Sequence, residues 1–209
     1  MAVQDYGRFV CEFLAHPTRV GAIAPSSRGL ARRMVEWIDW ETVDAVVEYG
    51  PGTGVFTAQI LESKRPGTKF FAVELNSQFA ATLAGRFPGV AILQDSVANI
   101  EELCRQQGVS EVDAIVCGLP WAAFSDGDQT ACLDAMMTVL RPGGYFATFA
   151  YLQGMLLPAA HRFRRKLQGY FGEVRVDPTV WLNFPPAFVY QCRRTRSTQE
   201  TVLESSQSR

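Results

Sequence analysis

The chain has few of the residues on which metal and thiol chemistry depend. Only two of its 209 residues are histidine and five are cysteine, and no two cysteines have the short spacing of a metal site. Their odd number and scatter favour reduced thiols in a cytosolic protein over a disulfide framework. The first residues show no secretory signal peptide. The longest run without a charge, 142–160, is broken by Gly143, Gly144 and Pro158, whereas a membrane-spanning helix needs about 20 largely apolar residues.

Two segments of the chain also lack acidic residues. The net charge of −1 and the pI of about 6.1 do not indicate a nucleic-acid binder. Residues 41–135 carry 13 acidic and 5 basic side chains, whereas residues 16–35 and 152–172 each carry four Arg or Lys and no acid. Such asymmetry predicts a surface for an anionic partner, and two solvated helix faces are the alternative.

From residue 43 the sequence alternates between strand and helix patterns. Strands are predicted at 43–49, 69–75, 90–94, 113–119, 145–151, 174–181 and 188–193. Helices are predicted at about 55–63, 77–86, 97–107, 128–140 and 156–171. This alternation predicts an α/β fold with a doubly wound, mostly parallel sheet of seven strands. The last two strands, joined by Asn183-Phe184-Pro185-Pro186, predict an antiparallel hairpin at its edge.

Two helices are predicted before the sheet. The apolar stripe of the first consists of Tyr6, Phe9, Val10, Phe13 and Leu14, and Pro17 ends this helix. Ser26 or Ser27 can cap the second, whose stripe consists of Leu30, Met34, Trp37 and Ile38. The chain therefore divides into N-terminal helices and a loop at 1–40, an α/β domain at 41–194, and a polar tail at 195–209 that is predicted to be disordered.

A glycine-rich turn after the first strand predicts a nucleotide-type site. Glu48-Tyr49-Gly50-Pro51-Gly52-Thr53-Gly54 joins that strand to a helix, and its glycines allow a tight turn and a close approach to a ligand. Glu74 follows at the end of the second strand, where an acid accepts hydrogen bonds from ribose hydroxyls. Asp95 ends the third strand and can accept from an adenine amino group.

The details of this turn separate it from a dinucleotide site. The glycines have the spacing G-x-G-x-G, Glu48 precedes them where a carboxylate could balance a cationic sulfonium, and no second substrate domain follows. With Leu140-Arg141-Pro142-Gly143-Gly144, residues 43–193 resemble the class I methyltransferases. The resemblance implies S-adenosylmethionine as cofactor. The residues implied to bind it are Glu48, Gly50, Pro51, Gly52, Thr53, Gly54, Glu74, Leu75, Asp95, Ser96 and Gly118.

The flanking segments narrow this resemblance. Residues 17–27, 48–57, 118–120 and 181–190 are similar to the soluble bacterial phospholipid N-methyltransferases, which methylate phosphatidylethanolamine stepwise towards phosphatidylcholine. The resemblance implies a cytoplasmic enzyme in peripheral contact with an anionic membrane. It also implies that the N-terminal helix helps to bind lipid and that the loop at 18–27 closes over the cofactor.

Two other methyltransferase classes remain as alternatives. Cys117-Gly118-Leu119-Pro120-Trp121 is similar to the Asn-Leu-Pro-Tyr signature of the ribosomal RNA adenine dimethylases. Gly118 stands where that signature has Asn, and the chain has neither a basic C-terminal domain nor a high pI, which argues against nucleic acid. A natural-product methyltransferase, with a small-molecule amine as acceptor and the N-terminal helix as a lid, stays open.

The favoured reaction predicts further site residues. An ethanolamine nitrogen is an ammonium at neutral pH, and Tyr6, His16 and Tyr151 are the candidates for easing its deprotonation. Trp121 and Trp181 are predicted to hold a methylated ammonium on their aromatic faces, with core packing as the alternative. Arg164 and Arg165, in the basic run 161–166, are predicted to bind the lipid phosphate, with a solvated helix face as the alternative.

Overall fold

A seven-stranded sheet forms the centre of a computed structural model, which describes residues 26–195. Its strands are β1 (Ala45–Tyr49), β2 (Lys69–Val73), β3 (Ala91–Leu93), β4 (Val112–Cys117), β5 (Leu140–Tyr151), β6 (Glu173–Val176) and β7 (Ala187–Arg193). The helices are α1 (Arg28–Val35), α2 (Val55–Ser63), α3 (Ser77–Arg86), α4 (Ile100–Gln106), α5 (Asp126–Val139) and α6 (Pro158–Tyr170).

The topology is the predicted doubly wound one. The strand order is β3-β2-β1-β4-β5-β7-β6. The first five strands pair in parallel, and β7 pairs antiparallel with both β5 and β6. The order reverses at β1, so the carboxyl ends of β1 and β4 flank a crevice of the kind in which doubly wound sheets bind ligands. The predicted fold class, with its antiparallel edge, is confirmed.

Both faces of the sheet are buried, because helices cover each of them. Successive side chains of a strand point to opposite faces and so enter different clusters. In β1, Val47 and Tyr49 belong to the apolar cluster that contains α5 and α6 residues, whereas Val46 belongs to the cluster under α1 and α2. Ser27 caps helix α1, since its Oγ accepts a hydrogen bond from the Leu30 amide at 3.1 Å. The predicted cap at Ser27 is therefore confirmed. Leu30 and Met34 of the predicted stripe are buried on this helix, but the helix ends at Val35, so Trp37 and Ile38 lie beyond it.

Two strands differ from their predicted bounds by five residues, whereas the other five differ by one or two. β5 begins at Leu140 rather than 145, because the chain after β7 pairs with the Arg-Pro-Gly-Gly segment: the Gly143 amide donates to the Arg194 carbonyl, and the Arg194 amide donates to Gly144. β6 ends at Val176 instead of 181, because Pro178 has no amide hydrogen to continue the ladder. Trp181 therefore lies in a loop.

Several predictions fall outside the described residues. The amphipathic stripe at 6–14, the candidate bases Tyr6 and His16, most of the loop at 18–27, and the tail from 196 belong to this group. Across residues 26–195, none of the helices has both the length and the apolar content that a bilayer crossing requires.

Candidate cofactor and substrate site

The glycine turn adopts a backbone that demands glycine at three places. Gly50, Gly52 and Gly54 have φ angles of 63°, 54° and 78°, the left-handed region that side chains disfavour. A Cβ at Gly50 or Gly54 would lie 2.7 Å or less from a neighbouring side chain, whereas one at Gly52 would meet no atom within 4 Å. The turn is therefore packed at both ends and open at Gly52, where a ligand can approach the backbone.

Glu74 ties the end of β2 to this turn. Its Oε2 accepts a hydrogen bond from the Gly52 amide at 3.2 Å, and its Oε1 accepts one from the Asn76 amide at 2.9 Å. The side chain is buried, and this burial raises the pKa of the carboxyl above its usual value. Each carboxylate oxygen has two lone pairs, so both can still accept from a ligand hydroxyl.

Asp95 stands at the end of β3 with one oxygen engaged. Its Oδ1 accepts from the Ser96 amide at 2.6 Å and from the Asn99 Nδ2 at 2.8 Å. Oδ2 accepts no hydrogen bond from residues 26–195 and is available to a ligand amino group. The Ser96 Oγ caps the following turn by accepting from the Ala98 amide, which fixes the strand end beside Glu74.

A pocket at the carboxyl ends of the strands brings six of the predicted cofactor residues together. Its lining residues are Gly50, Val73, Glu74, Leu75, Asp95, Ser96, Val97, Gly118, Leu119 and Pro120. Sequence reasoning missed Val73, Val97, Leu119 and Pro120. Each is adjacent in sequence to a predicted residue, so the signal was their position at the same strand ends. Pro51, Gly52, Thr53 and Gly54 continue the turn from Gly50 and are not among the lining residues.

Glu48 lies behind the turn and is fully buried. Its Oε2 accepts a hydrogen bond from the Thr57 hydroxyl at 2.7 Å, whereas its Oε1 has no partner in the part of the chain that the structure describes. Burial, with a smaller contribution from the nearby Glu74 charge, raises the pKa of Glu48 to about 8. A spare buried acceptor at this position fits a cationic ligand, whose charge would favour the ionised carboxylate.

The loop after β4 approaches the glycine turn too closely to carry a side chain at Gly118. The Gly118 amide donates to the Tyr49 carbonyl at 2.7 Å. A Cβ built at Gly118 would lie 2.5 Å from the Gly50 carbonyl oxygen, which is backbone and cannot rotate away. The Asn of the adenine dimethylase signature therefore has no room here.

Trp121 is a core residue, and the prediction that it contacts substrate is wrong for this structure. Its side chain is 3% exposed and stacks on Phe163 with ring centroids 4.5 Å apart. Its Nε1 donates to the Thr148 Oγ1 at 2.9 Å, and the Gln129 Nε2 donates to its carbonyl at 2.8 Å. With its polar atom satisfied and its face covered, the indole positions the loop 118–120 rather than binding an acceptor.

Tyr151 and Trp181 lie at the same edge of the sheet as the pocket. The Tyr151 hydroxyl is buried without a hydrogen-bond partner among residues 26–195, and burial raises its pKa to about 12. A neutral phenol at physiological pH can accept a hydrogen bond from an amine but does not act as a strong base. Trp181 is exposed and precedes β7.

The basic run of α6 divides into two groups. Arg162 and Lys166 approach the Asp126 Oδ1 at 3.9 and 3.0 Å and so attach α6 to α5. Arg164 and Arg165 are exposed and form no ion pair with any residue between 26 and 195. These two arginines, which the sequence singled out for phosphate, are therefore free to bind an anion.

Comparison with known proteins agrees with this geometry. Residues 46–144 match a family model described as a methyltransferase domain. The chain is 30% identical over 201 residues to an ornithine lipid N-methyltransferase of Singulisphaera acidiphila, covering 94% of this chain and 100% of that protein. It is also 27% identical over 97 residues to a dimethyladenosine transferase of Chaetomium thermophilum, which covers 46% of this chain and 24% of that one.

Solved structures share the fold at low identity. A SAM-dependent O-methyltransferase from Thermotoga maritima has a TM-score of 0.61 at 17% identity, with 88% of this chain and 71% of that chain covered. A 16S rRNA methyltransferase of T. Thermophilus, solved in complex with AdoMet and guanosine, has a TM-score of 0.57 at 15% identity, with 81% of this chain and 39% of that chain covered. At such identity the likeness establishes the fold alone.

Proposed function

The chain belongs to the class I S-adenosylmethionine-dependent methyltransferases of the lipid-modifying type, and from this premise we propose that it methylates the amino group of a membrane lipid. The acceptor we favour is phosphatidylethanolamine or its partly methylated forms. The observation that carries the proposal is the relation to a lipid N-methyltransferase over nearly the full length of both proteins.

S-adenosylmethionine is the cofactor, and when bound it supplies an activated methyl group on a cationic sulfonium. We assign Glu74 to the ribose hydroxyls and Asp95 to the adenine amino group, because both carboxylates lie in the pocket with oxygens able to accept further hydrogen bonds. Glu48, with its unpartnered Oε1 behind the turn, is assigned to the positive charge.

The remaining task of the chain is to align a deprotonated amine and exclude water. Holding two reactants in line can supply about 7–11 kcal/mol. An amine with a lysine-like pKa requires about 4–5 kcal/mol to lose its proton at pH 7. A tyrosine is neutral at pH 7, and burial raises the pKa of Tyr151 further, so its hydroxyl is assigned to accepting an N–H and orienting the lone pair. Tyr6 and His16 stay predictions for the base.

The exposed arginines of α6 support a phosphate-bearing, membrane-bound acceptor. Arg164 and Arg165 follow β5 and have no acidic partner within the described residues. An Arg near an anionic bilayer contributes about 1 kcal/mol, and salt screens the effect. We therefore propose peripheral association with the cytoplasmic leaflet, in which these side chains bind lipid phosphate.

The relatives suggest two other acceptors. Ornithine lipid is the stronger of the two, because the protein that matches throughout its length is named for it. Ribosomal RNA is the weaker, because the dimethyladenosine transferase matches less than half of this chain and Gly118 leaves no space for that family's Asn.

One assay separates these acceptors. The protein is incubated with S-adenosylmethionine labelled in its methyl group and, in parallel, vesicles of phosphatidylethanolamine, vesicles of ornithine lipid, a small amine, or rRNA. We expect label in phosphatidylethanolamine and its methylated products on thin-layer plates. We expect none with Gly52→Val, whose side chain would extend into the open space at the turn that Glu74 joins to the pocket.

Variants of the arginine pair test phosphate recognition. Arg164→Gln and Arg165→Gln together should lower turnover of phosphatidylethanolamine at every methylation step, since its phosphate never changes. If only ornithine lipid is labelled, and these variants do not change its labelling, then ornithine lipid and not phosphatidylethanolamine is the acceptor. Label in rRNA or only in the small amine would overturn the lipid proposal.

A further inference from the structure

Most large hydrophobic side chains that the described chain exposes are gathered in two loops. Six of the eight exposed ones in residues 26–195 lie there, with Leu156 at 87%, Leu182 at 95% and Phe184 at 77% exposed. We call this set the apolar prong; its members are Leu152, Leu156, Leu157, Trp181, Leu182 and Phe184. Soluble monomers rarely expose clustered hydrophobic residues without a binding partner.

The two loops are attached to each other and to the fold. The Leu152 amide donates to the Pro186 carbonyl at 2.9 Å. Asn183, buried between the exposed residues, donates from Nδ2 to the Pro185 carbonyl at 2.7 Å and accepts at Oδ1 from the Ser27 amide at 2.8 Å. The protruding side chains are thus presented by an anchored backbone.

The apolar prong lies at the same edge of the sheet as the cofactor pocket. One loop leaves the carboxyl end of β5, and the other enters β7 opposite that end, since Tyr151 pairs with Ala187. β5 and β7 are the two strands beyond β4, whose following loop carries Gly118 and Pro120 of the pocket. At about 4.8 Å per strand spacing, β7 is roughly 10 Å from β4.

The helix that adjoins the apolar prong carries positive charge. Helix α6 begins directly after Leu157, and the whole segment 152–172 contains no acidic residue. Its Arg164 and Arg165 are exposed and unpaired among the described residues. Leucine, phenylalanine and tryptophan at the tip, with arginines on the adjoining helix, is the composition of surfaces that lie in the interface of anionic bilayers.

We propose that the apolar prong inserts into the interfacial layer of an anionic membrane, so that the carboxyl edge of the sheet faces the lipid. The proposal rests on the proposed lipid acceptor for its biological purpose, and on the exposed residues and charge for its location. It assigns membrane contact to residues other than those of the N-terminal stripe. An aminolipid held in the same leaflet would then lie beside the pocket without leaving the bilayer.

Intrinsic fluorescence tests the insertion directly. Trp181 is the one tryptophan of the chain's four that is mainly exposed, so anionic vesicles should shift the emission of the full-length protein to the blue. Lipids brominated on the acyl chain should quench it. Trp181→Phe should abolish the shift. Without vesicles, iodide should quench Trp181; protection from iodide would mean that residues 1–25 or a second copy cover it, and would overturn the proposal.

Substitutions in the apolar prong measure how much its leucines contribute to vesicle binding. Leu182→Ser combined with Leu156→Ser should lower the partition coefficient on phosphatidylserine-containing vesicles at least tenfold, which corresponds to about 1.4 kcal/mol. Leu61→Ser is the matched control, because Leu61 is an exposed leucine near the C-terminus of α2, at the opposite edge of the sheet. Equal vesicle binding by all three proteins would overturn the proposal, as would a change of oligomeric state in the double variant.

Catalysis separates this inference from the proposed function. Turnover of phosphatidylethanolamine in vesicles should fall with the Leu182→Ser, Leu156→Ser protein, whereas turnover of dispersed short-chain phosphatidylethanolamine should not. If no aminolipid is methylated but Trp181 still inserts, the proposed function fails and the insertion stands. If vesicle lipid is methylated equally by wild type and double variant, the insertion fails and the function stands.

Discussion

Replacing Glu48 with glutamine should flatten the pH dependence of the protein's stability. Glu48 is fully buried, and its pKa in the fold is about 8 against an ordinary 4.5. Between these two values the folded chain holds a proton at Glu48 that the unfolded chain has released. The free energy of unfolding therefore falls as pH rises through this range, which is the opposite of a salt-bridged carboxylate.

The size of the effect follows from the shift. Each pKa unit corresponds to about 1.4 kcal/mol, so raising the pH from 5.5 to 7.5 should lower the stability of the wild type by about 2–3 kcal/mol through this group. Glutamine is neutral throughout and can still accept from the Thr57 hydroxyl. Glu48→Gln should therefore lose almost none of this stability over the same interval.

Urea denaturation at several pH values measures the difference. The two proteins should be closest at pH 5.5 and diverge in favour of the variant towards pH 8. Glu101→Gln, at an exposed position of α4, removes the same charge from the surface and should follow the wild type. Parallel curves for wild type and Glu48→Gln would show that Glu48 is ionised in the fold and would refute the reasoning.

The same carboxyl gives a signature of cofactor binding. If Glu48 balances the sulfonium charge, S-adenosylmethionine should bind more tightly as pH rises towards 8 and should displace a proton below it. Calorimetry in two buffers of different ionisation enthalpy counts that proton. If the wild type releases no proton on binding, or if Glu48→Gln still releases one, then Glu48 does not balance the charge of the cofactor.

Three further outcomes are expected. Gly52→Val should abolish binding of S-adenosylmethionine in calorimetry. The variant should keep its circular dichroism spectrum, because the new Cβ meets no protein atom, although the left-handed backbone adds about 1–3 kcal/mol of strain. Unchanged binding would show that the cofactor does not bind at this turn. Glu74→Ala should weaken that binding by about 2–4 kcal/mol, since two hydrogen bonds to a charged acceptor are lost. A smaller loss in the titration would show that Glu74 does not bind the ribose. Trp181→Ala, assayed on dispersed short-chain phosphatidylethanolamine so that membrane insertion does not contribute, should slow the last methylation more than the first, because each methyl removes an N–H donor and the acceptor comes to depend on aromatic faces; equal slowing of every step on thin-layer plates would contradict this role.

The clustering of the predicted cofactor residues could be foreseen from the sequence because its determinants are local. The glycine turn and Glu74 follow directly from a strand, and Asp95 lies two residues after one. Parallel strands bring their carboxyl ends to one edge of the sheet. The sequence did not predict how deeply these side chains are buried or which of their lone pairs remain free. The raised pKa of Glu48 depends on its complete burial, which only the packed fold defines.

The substrate half was less accessible because distant residues decide it. Trp121 follows a strand end just as Glu74 does, yet Thr148 and Phe163 bury it. Arg162 and Arg164 are two residues apart on one helix, and the position of Asp126 on another helix decides which of them stays unpaired. Pattern alone could name these residues but not assign them to core or surface.

The close approach of Gly118 to the Gly50 carbonyl constrains how this enzyme could diverge. A single change from glycine to asparagine would restore the amide of the adenine dimethylase signature, but its Cβ would meet a carbonyl 2.5 Å away. The glycine turn would have to shift first, and that turn is held by Leu119 on one side and by Leu83 and Phe87 on the other. An asparagine at this position should therefore require a prior displacement of the glycine turn, and with it intermediates in which the cofactor site is distorted.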